Sequence, residues 1–303
     1  VTGAAGARDS DRPRRITIDL DGAWCYRRIH GLEDDAAGLD VDAVDDPIDD
    51  ALLIEALPRI LDVCARWNTT ATLFVVGRDA RDPRTAELLR AASDAGHDLQ
   101  AHSYGHAYGL SRWPSARIHA DVIRALDAIE ALGVPRPTGF RAPGYNLSPA
   151  LVAALVDAGV RWSSSVLPSP AYFALRALVI ARTRWAGRQS SSLVGDARAF
   201  RPRRGGPFEH DDGSVRLREI PMTTAAGLPW TGTTLALLPD AAADALTSIA
   251  LKGSRGDELV FELHAADFAD GRHLPAEQPD ARVPLADKLR RVERAIARVV
   301  AHR

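Results

Sequence analysis

Cysteine is scarce in this 303-residue chain: Cys25 and Cys64 are the only two, at no metal-binding spacing. A disulfide-built scaffold is not indicated, and both thiols are expected to be free and buried, with Cys25 near enough to a motif discussed below to line a site. Charge of one sign is missing too. Lys and Arg total 38 against 40 Asp and Glu, a formal net of −2, so nothing draws the whole chain to nucleic acid. No apolar run approaches the roughly 20 residues of a membrane-spanning helix. The first 15 residues, VTGAAGARDSDRPRR, hold no apolar core of a secretory signal. They suggest a cytoplasmic protein, with peripheral membrane attachment left open, or one whose leader has been removed. Repeats and a clean linker are also lacking. One domain over 1–303 is therefore expected, with 1–14 as a disordered tail.

What is present is an apolar share of 46%, ample for a large core, and a regular alternation of elements. RITIDL (15–20), TATLFVVG (70–77), HDLQAH, PTGFRAPG, RWSSSV, RLREIPMT and ELVFELH read as strands or strand ends. Between them lie helical segments: 49–67, where Pro58 should kink or end the helix, then DPRTAELLRAASDAG, PSARIHADVIRALDAIEALG and SPALVAALVDAGV. LADKLRRVERAIARVV closes the chain as an amphipathic helix. Such alternation predicts an α/β fold with parallel strands and crossover helices, as an open sheet or a barrel. Two segments break it. Residues 33–50 carry nine acids and no base, a solvated loop whose spacing fits no EF-hand. The other is 168–218.

Four stretches fall at strand ends, where barrel enzymes gather reactive groups. In IDLDG, Asp19 and Asp21 are two apart and so share a face of a strand. A cation beside one removes the repulsion and lets the other act as a base. LDVDA (39–43) has the same spacing, but lacks the preceding apolar ITI and the following Gly22. In AHSYGH, the spacing of four puts His102 and His106 on one side of a helical turn, converging on one cation. One carboxylate and two imidazoles leave room for water and substrate. In RAPGYN, Arg141 can hold a carboxylate by two parallel bonds, and the N–H groups of Gly144 and Tyr145 can face a site. In FELHAADF, His264 ends an apolar strand.

In this order the four stretches resemble the polysaccharide deacetylase family, the NodB-homology hydrolases, over roughly residues 15–300. TIDLDG is similar to its first motif, HSYGH to its H-S/T-x-x-H motif, RAPGYN to its Arg-x-Pro motif and FELH to its Leu-x-Leu-His motif. The resemblance implies a distorted (β/α) barrel with fewer than eight strands. It implies that Asp21, His102 and His106 bind a divalent metal, usually Zn2+. Asp19 would be the general base, oriented by Arg141, and His264 the general acid that protonates the departing amine. The N–H of Gly144 or Tyr145 would steady the oxyanion. Ser163 stands where relatives often carry Asp, which leaves Asp267 as the candidate to tune His264.

The implied reaction is N-deacetylation of an amino sugar, with deformylation or opening of a cyclic amide on the same site as alternatives. A non-catalytic carbohydrate-binding protein is the contrasting reading, against which the complete residue set counts. Segment 168–218 is expected to determine substrate. From Arg176 to Arg218 it holds ten arginines against four acids, a local excess of +6, suited to a phosphate- or lipid-linked amino sugar. Arg203 and Arg204 are its candidate contacts, and Trp185, Tyr172, Tyr145 and Trp230 are candidates for stacking on sugar rings.

Overall fold

The first strand, β1 (Ile16–Leu20), is buried along its whole length, as a strand covered on both faces must be. It appears in a computed structural model that describes residues 13–32, 50–193, 206–211, 215–254 and 259–302. The acidic stretch 33–49, expected to be a loop, and the first 12 residues lie outside these. After β1 come the helices α1 (Ala23–Ile29) and α2 (Ala51–Arg66), then β2 (Thr72–Val75), α3 (Pro83–Asp94) and β3 (Asp98–Ala101). Next are α4 (Ser115–Glu130), β4 (Gly139–Phe140), α5 (Pro149–Asp157) and β5 (Trp162–Ser163). The later part contains α6 (Pro170–Trp185), β6 (Phe208–Asp211), β7 (Arg216–Glu219) and the small pair β8 (Thr224–Ala225) and β9 (Leu228–Pro229). It ends with α7 (Gly232–Leu237), α8 (Asp240–Gly253), β10 (Phe261–His264) and α9 (Leu285–Ala301).

The main sheet runs β10-β1-β2-β3-β4-β5-β7-β6. Every neighbouring pair is parallel except β6–β7, so seven parallel strands carry one antiparallel edge strand. The fold is the distorted (β/α) barrel, and the eighth strand is the departure from the expected count. β6 pairs with β7 through a short hairpin inside the segment that breaks the alternation, where strand–helix periodicity could not announce it. One apolar cluster, with members from Ile16 to Val299, fills the space between sheet and helices.

Pro58 does not end its helix, which runs unbroken from Ala51 to Arg66. A proline in a helix interior costs about 3 kcal/mol. Against that stand five larger buried side chains, Leu52, Leu53, Leu57, Ile60 and Val63, each contributing roughly 1.5–3 kcal/mol. Pro58 lies on the exposed face, so its ring disturbs none of this packing.

Strand register sets the site. In the β1–β10 pair, Thr17 lies beside Glu262 and Asp19 beside His264. The backbone N–H of His102 donates to Val75 O just past β3, and that of Arg141 donates to Ala101 O just past β4. Strands β10, β1, β3 and β4 thus deliver His264, Asp19, His102 and Arg141 to one end of the sheet.

Candidate active site

The two histidines do not sit on a helical turn. Residues 102–106 form an irregular loop in which Ser103 (φ 62°) and His106 (φ 48°) adopt left-handed backbone, costly for side chains of this size. Hydrogen bonds hold that shape: His106 N–H donates to Ser103 Oγ at 2.8 Å, and Asp121 on α4 accepts from the amides of Tyr104 (3.1 Å) and Gly105 (3.3 Å). Convergence of the rings comes from this loop, not from helical spacing.

Asp21, His102 and His106 are all buried, and one ligand atom from each lies within 4.8 Å of the others. Asp21 Oδ1 is 3.3 Å from His102 Nε2 and 3.1 Å from His106 Nε2, yet it has no hydrogen-bond partner. Three donor atoms that converge without satisfying one another fit a cation between them, and an Asp-His-His set leaves positions open for water and substrate. Burial works to raise the Asp21 carboxyl, but His106 and His102 hold it well below the usual carboxylate range. Burial drives His106 toward its neutral form, as a ligand requires. His102 is similarly desolvated, but Asp19 and Asp21 outweigh that and raise it. Its Nδ1 is 2.7 Å from Arg141 O, which leaves Nε2 for the cation.

Arg141 is fully buried, and the cluster around it is densely bonded. Its Nη1 donates to Asp19 Oδ1 at 2.5 Å, Nε to Ser164 O at 2.8 Å, and Nη2 to Ser164 Oγ at 3.0 Å. Thr17 Oγ1 accepts from both terminal nitrogens at 3.1 Å. Asp19 Oδ2 is thereby left toward the metal triad, 3.8 Å from His102 Nε2. The SSS run at 163–165 has a structural part here. Ser165 Oγ, 2.7 Å from Ser163 Oγ, accepts from the Ala142 amide and fixes the turn after Arg141.

Glu262 is the site residue missed in the sequence. It is fully buried, two residues before His264 on the same strand face, and forms a cluster with Asp19 and His264. The period-2 rule applied to FELH would have found it. Burial works to lower the His264 imidazole, but Glu262 first, then Asp19 and Asp21, raise it to about 9. Asp267, the expected tuner, bonds to His264 through the backbone: its Oδ2 accepts from the His264 N–H at 2.8 Å. Its own carboxyl is pushed by burial to about 6, and it acts on the ring more weakly than Glu262.

In the RAPGYN turn, the Tyr145 amide donates to Ala142 O at 2.9 Å, so of the two expected oxyanion donors Gly144 is the one left. Gly144 has φ 59°, and a Cβ there would run into Arg176 Nη2 and the Tyr108 ring. Arg176, buried on α6, donates from Nη1 to Gly144 O at 2.7 Å. Segment 168–218 therefore reaches the site, through an arginine not singled out in advance. The Tyr145 hydroxyl donates to Glu262 Oε1 at 2.8 Å, and the Tyr172 ring meets Tyr145 edge-on at 5.5 Å. Trp230 is a correction: it is fully buried, stacks on Phe261 at 4.4 Å, and donates to Thr247 Oγ1, which makes it a core residue unable to meet a sugar. Trp185 ends α6 with 90% of its surface exposed. Arg203 and Arg204 lie outside the described residues. Cys25 and Cys64 are free and buried.

Sheet and site together define an α/β barrel with a candidate metal centre at the C-terminal ends of its parallel strands. The model of the polysaccharide deacetylase family matches residues 45–163, a stretch that includes His102, His106 and Arg141. A peptidoglycan deacetylase of Helicobacter pylori is 27% identical over 147 residues, 44% of this chain and 49% of the relative. The match thus spans about half the length of that protein. Among solved structures, a Mycobacterium smegmatis protein assigned to the polysaccharide deacetylases superposes with a TM-score of 0.55 at 17% identity, over 99% of this chain and 88% of the other. A Streptomyces lividans family 4 carbohydrate esterase, solved with acetate, has a TM-score of 0.45 at 15% identity, over 94% and 88%.

Proposed function

We propose that this protein is a metal-dependent hydrolase that removes the N-acetyl group from an amino sugar. One observation carries the reading: the Asp21–His102–His106 set stands beside an Arg141-held Asp19 and beside His264. A divalent cation bound there, zinc by the donor set, lowers the pKa of water and polarises a carbonyl. The chain's own groups do the rest. Asp19 Oδ2, the oxygen not paired with Arg141, takes the proton from the attacking water. Arg141 keeps that carboxylate turned toward the triad. His264, raised to about 9, is protonated at neutral pH and gives its proton to the departing amine nitrogen. The Gly144 amide lies at the turn that would face the oxyanion. Glu262 keeps the His264 proton in place by its charge.

The match to the polysaccharide deacetylase model and to a relative named as a peptidoglycan deacetylase supports this substrate class. No helix among the described residues is long and apolar enough to cross a membrane. The test is release of acetate from N-acetylglucosamine oligomers by zinc-loaded protein, with formate release from N-formyl sugars as the competing assay. Acetate released by wild type and lost in Asp19→Asn is the expected result. Formate alone would replace deacetylation with deformylation.

A further inference from the structure

A second feature adjoins the metal triad. A cavity of about 420 Å³ lies against α1, lined by Trp24, Arg28, His106, Tyr108, Trp113 and Arg184 among others. None of its described lining residues is acidic. Arg188 is already paired with Glu277 at 2.7 Å. Arg28 is different: only 7% exposed, its guanidinium rests on the Trp24 ring at 4.6 Å, and its Nε meets no acceptor. A buried guanidinium N–H without a partner costs free energy that an anion would recover. Two more lining residues hold unsatisfied polar atoms, Ser191 Oγ and His106 Nδ1. The latter departs from the rule that a ligating imidazole donates its second N–H, which His102 obeys through Arg141 O.

The wall bearing Ser191 is built, not loose. Ser191 N–H donates to Arg28 O at 3.2 Å and Ser190 Oγ donates to Ile29 O at 2.5 Å, which ties the end of the α6 segment to α1. Gly31 (φ 62°) permits the approach, since a Cβ there would meet Gln189 O at 2.6 Å.

We propose that this cavity is a subsite for an acidic group, carboxylate or phosphate, on the amino-sugar substrate, with Arg28 and Ser191 as its contacts. The planar guanidinium fits two oxygens of either group, and the aromatic walls suit the carbon face of a sugar. The inference rests on the deacetylase reading for its sugar and extends it to a charged one. His106 borders both places, so the acidic group sits next to the cation that its sugar's amide would meet.

Calorimetric titration tests it with three probes: N-acetylglucosamine, N-acetylmuramic acid and N-acetylglucosamine 1-phosphate. Wild type should bind at least one acidic probe about tenfold more tightly than the neutral one, and which acid wins identifies carboxylate or phosphate. That ratio should fall to near one in Arg28→Met and shrink in Ser191→Ala. If circular dichroism shows Arg28→Met unfolded, Arg28→Lys and Ser191→Ala carry the test. An acid preference absent from wild type, or unchanged in the folded variants, overturns the subsite. Acetate release is measured in parallel. Arg28-dependent acid binding without acetate from any probe would leave the subsite standing and remove the deacetylase reading.

Discussion

Asp19 and Asp21 are two residues apart, and their neighbours assign them different work. Arg141 takes one oxygen of Asp19, whereas Asp21 faces two imidazoles. Asp19→Asn should therefore retain metal while losing about 10²–10⁴-fold in kcat, read as acetate release beside metal content. His106→Ala should lose the metal itself. At His264 the prediction concerns pH. Its imidazole is raised to about 9 with Glu262 as the largest favourable charge, so the general acid stays protonated up to that pH. The alkaline limb of kcat should fall near 9 in wild type and move toward 6.5 in Glu262→Gln. An unmoved limb would show that Glu262 does not set the proton's affinity. Asp19, Asp21, His102, His106, Arg141 and His264 were legible because each lies in a short polar stretch that closes or follows a strand. Glu262 was hidden by company: inside FELH it reads as filler, and only the strand's two-residue period turns it inward beside His264. The aromatics were least legible, since nothing in composition separates Trp230, stacked on Phe261, from Tyr172, which edges the site.

Elements were clear in sequence wherever an apolar stripe met a capping signal. Asp82 accepts from Thr85 N–H at the start of α3, and Ser148 from Leu151 N–H at the start of α5; both helices begin with the expected Asp-Pro or Ser-Pro. Of the pair β6–β7 only β7 was legible, inside RLREIPMT; β6 and the pair β8–β9 were not, because they depart from the strand–helix alternation. The histidine loop was misread for a physical reason: spacing of four is helical only if the backbone is, and here Asp121 and two left-handed residues shape it otherwise. Asp121→Asn should loosen that loop and weaken zinc binding by about 10–100-fold, measured by competition with a chromophoric chelator. Pro58→Ala makes the opposite kind of prediction. Its helix already runs through that position, so restoring the N–H should raise stability by about 2 kcal/mol, read from denaturant midpoints.

At the scale of the molecule, burial of the site makes stability depend on pH with a fixed sign. His264 is raised from 6.5 to about 9, so its contribution is complete below pH 6.5 and is lost as pH rises through 9. Asp121 and Asp267, each pushed up to about 6, lose theirs as pH rises from the ordinary carboxylate range through 6. Glu55, lowered to about 2, and Asp21, held well below its usual range, are already ionised above that and add no slope. The metal-free protein should therefore lose Tm steadily between pH 6.5 and 9, and His264→Gln should flatten the decline. The barrel brings Asp19, His102, Arg141 and His264 together from β1, β3, β4 and β10, strands from both ends of the chain, so folding and assembly of the site are one event. The measurement that tests the account most directly is acetate release from N-acetylglucosamine oligomers by chelator-stripped protein titrated with zinc. The arrangement at Asp21, His102 and His106 predicts no release without metal and a rise that saturates at about one zinc per chain. Release from stripped protein, or activity that ignores added zinc, would contradict it.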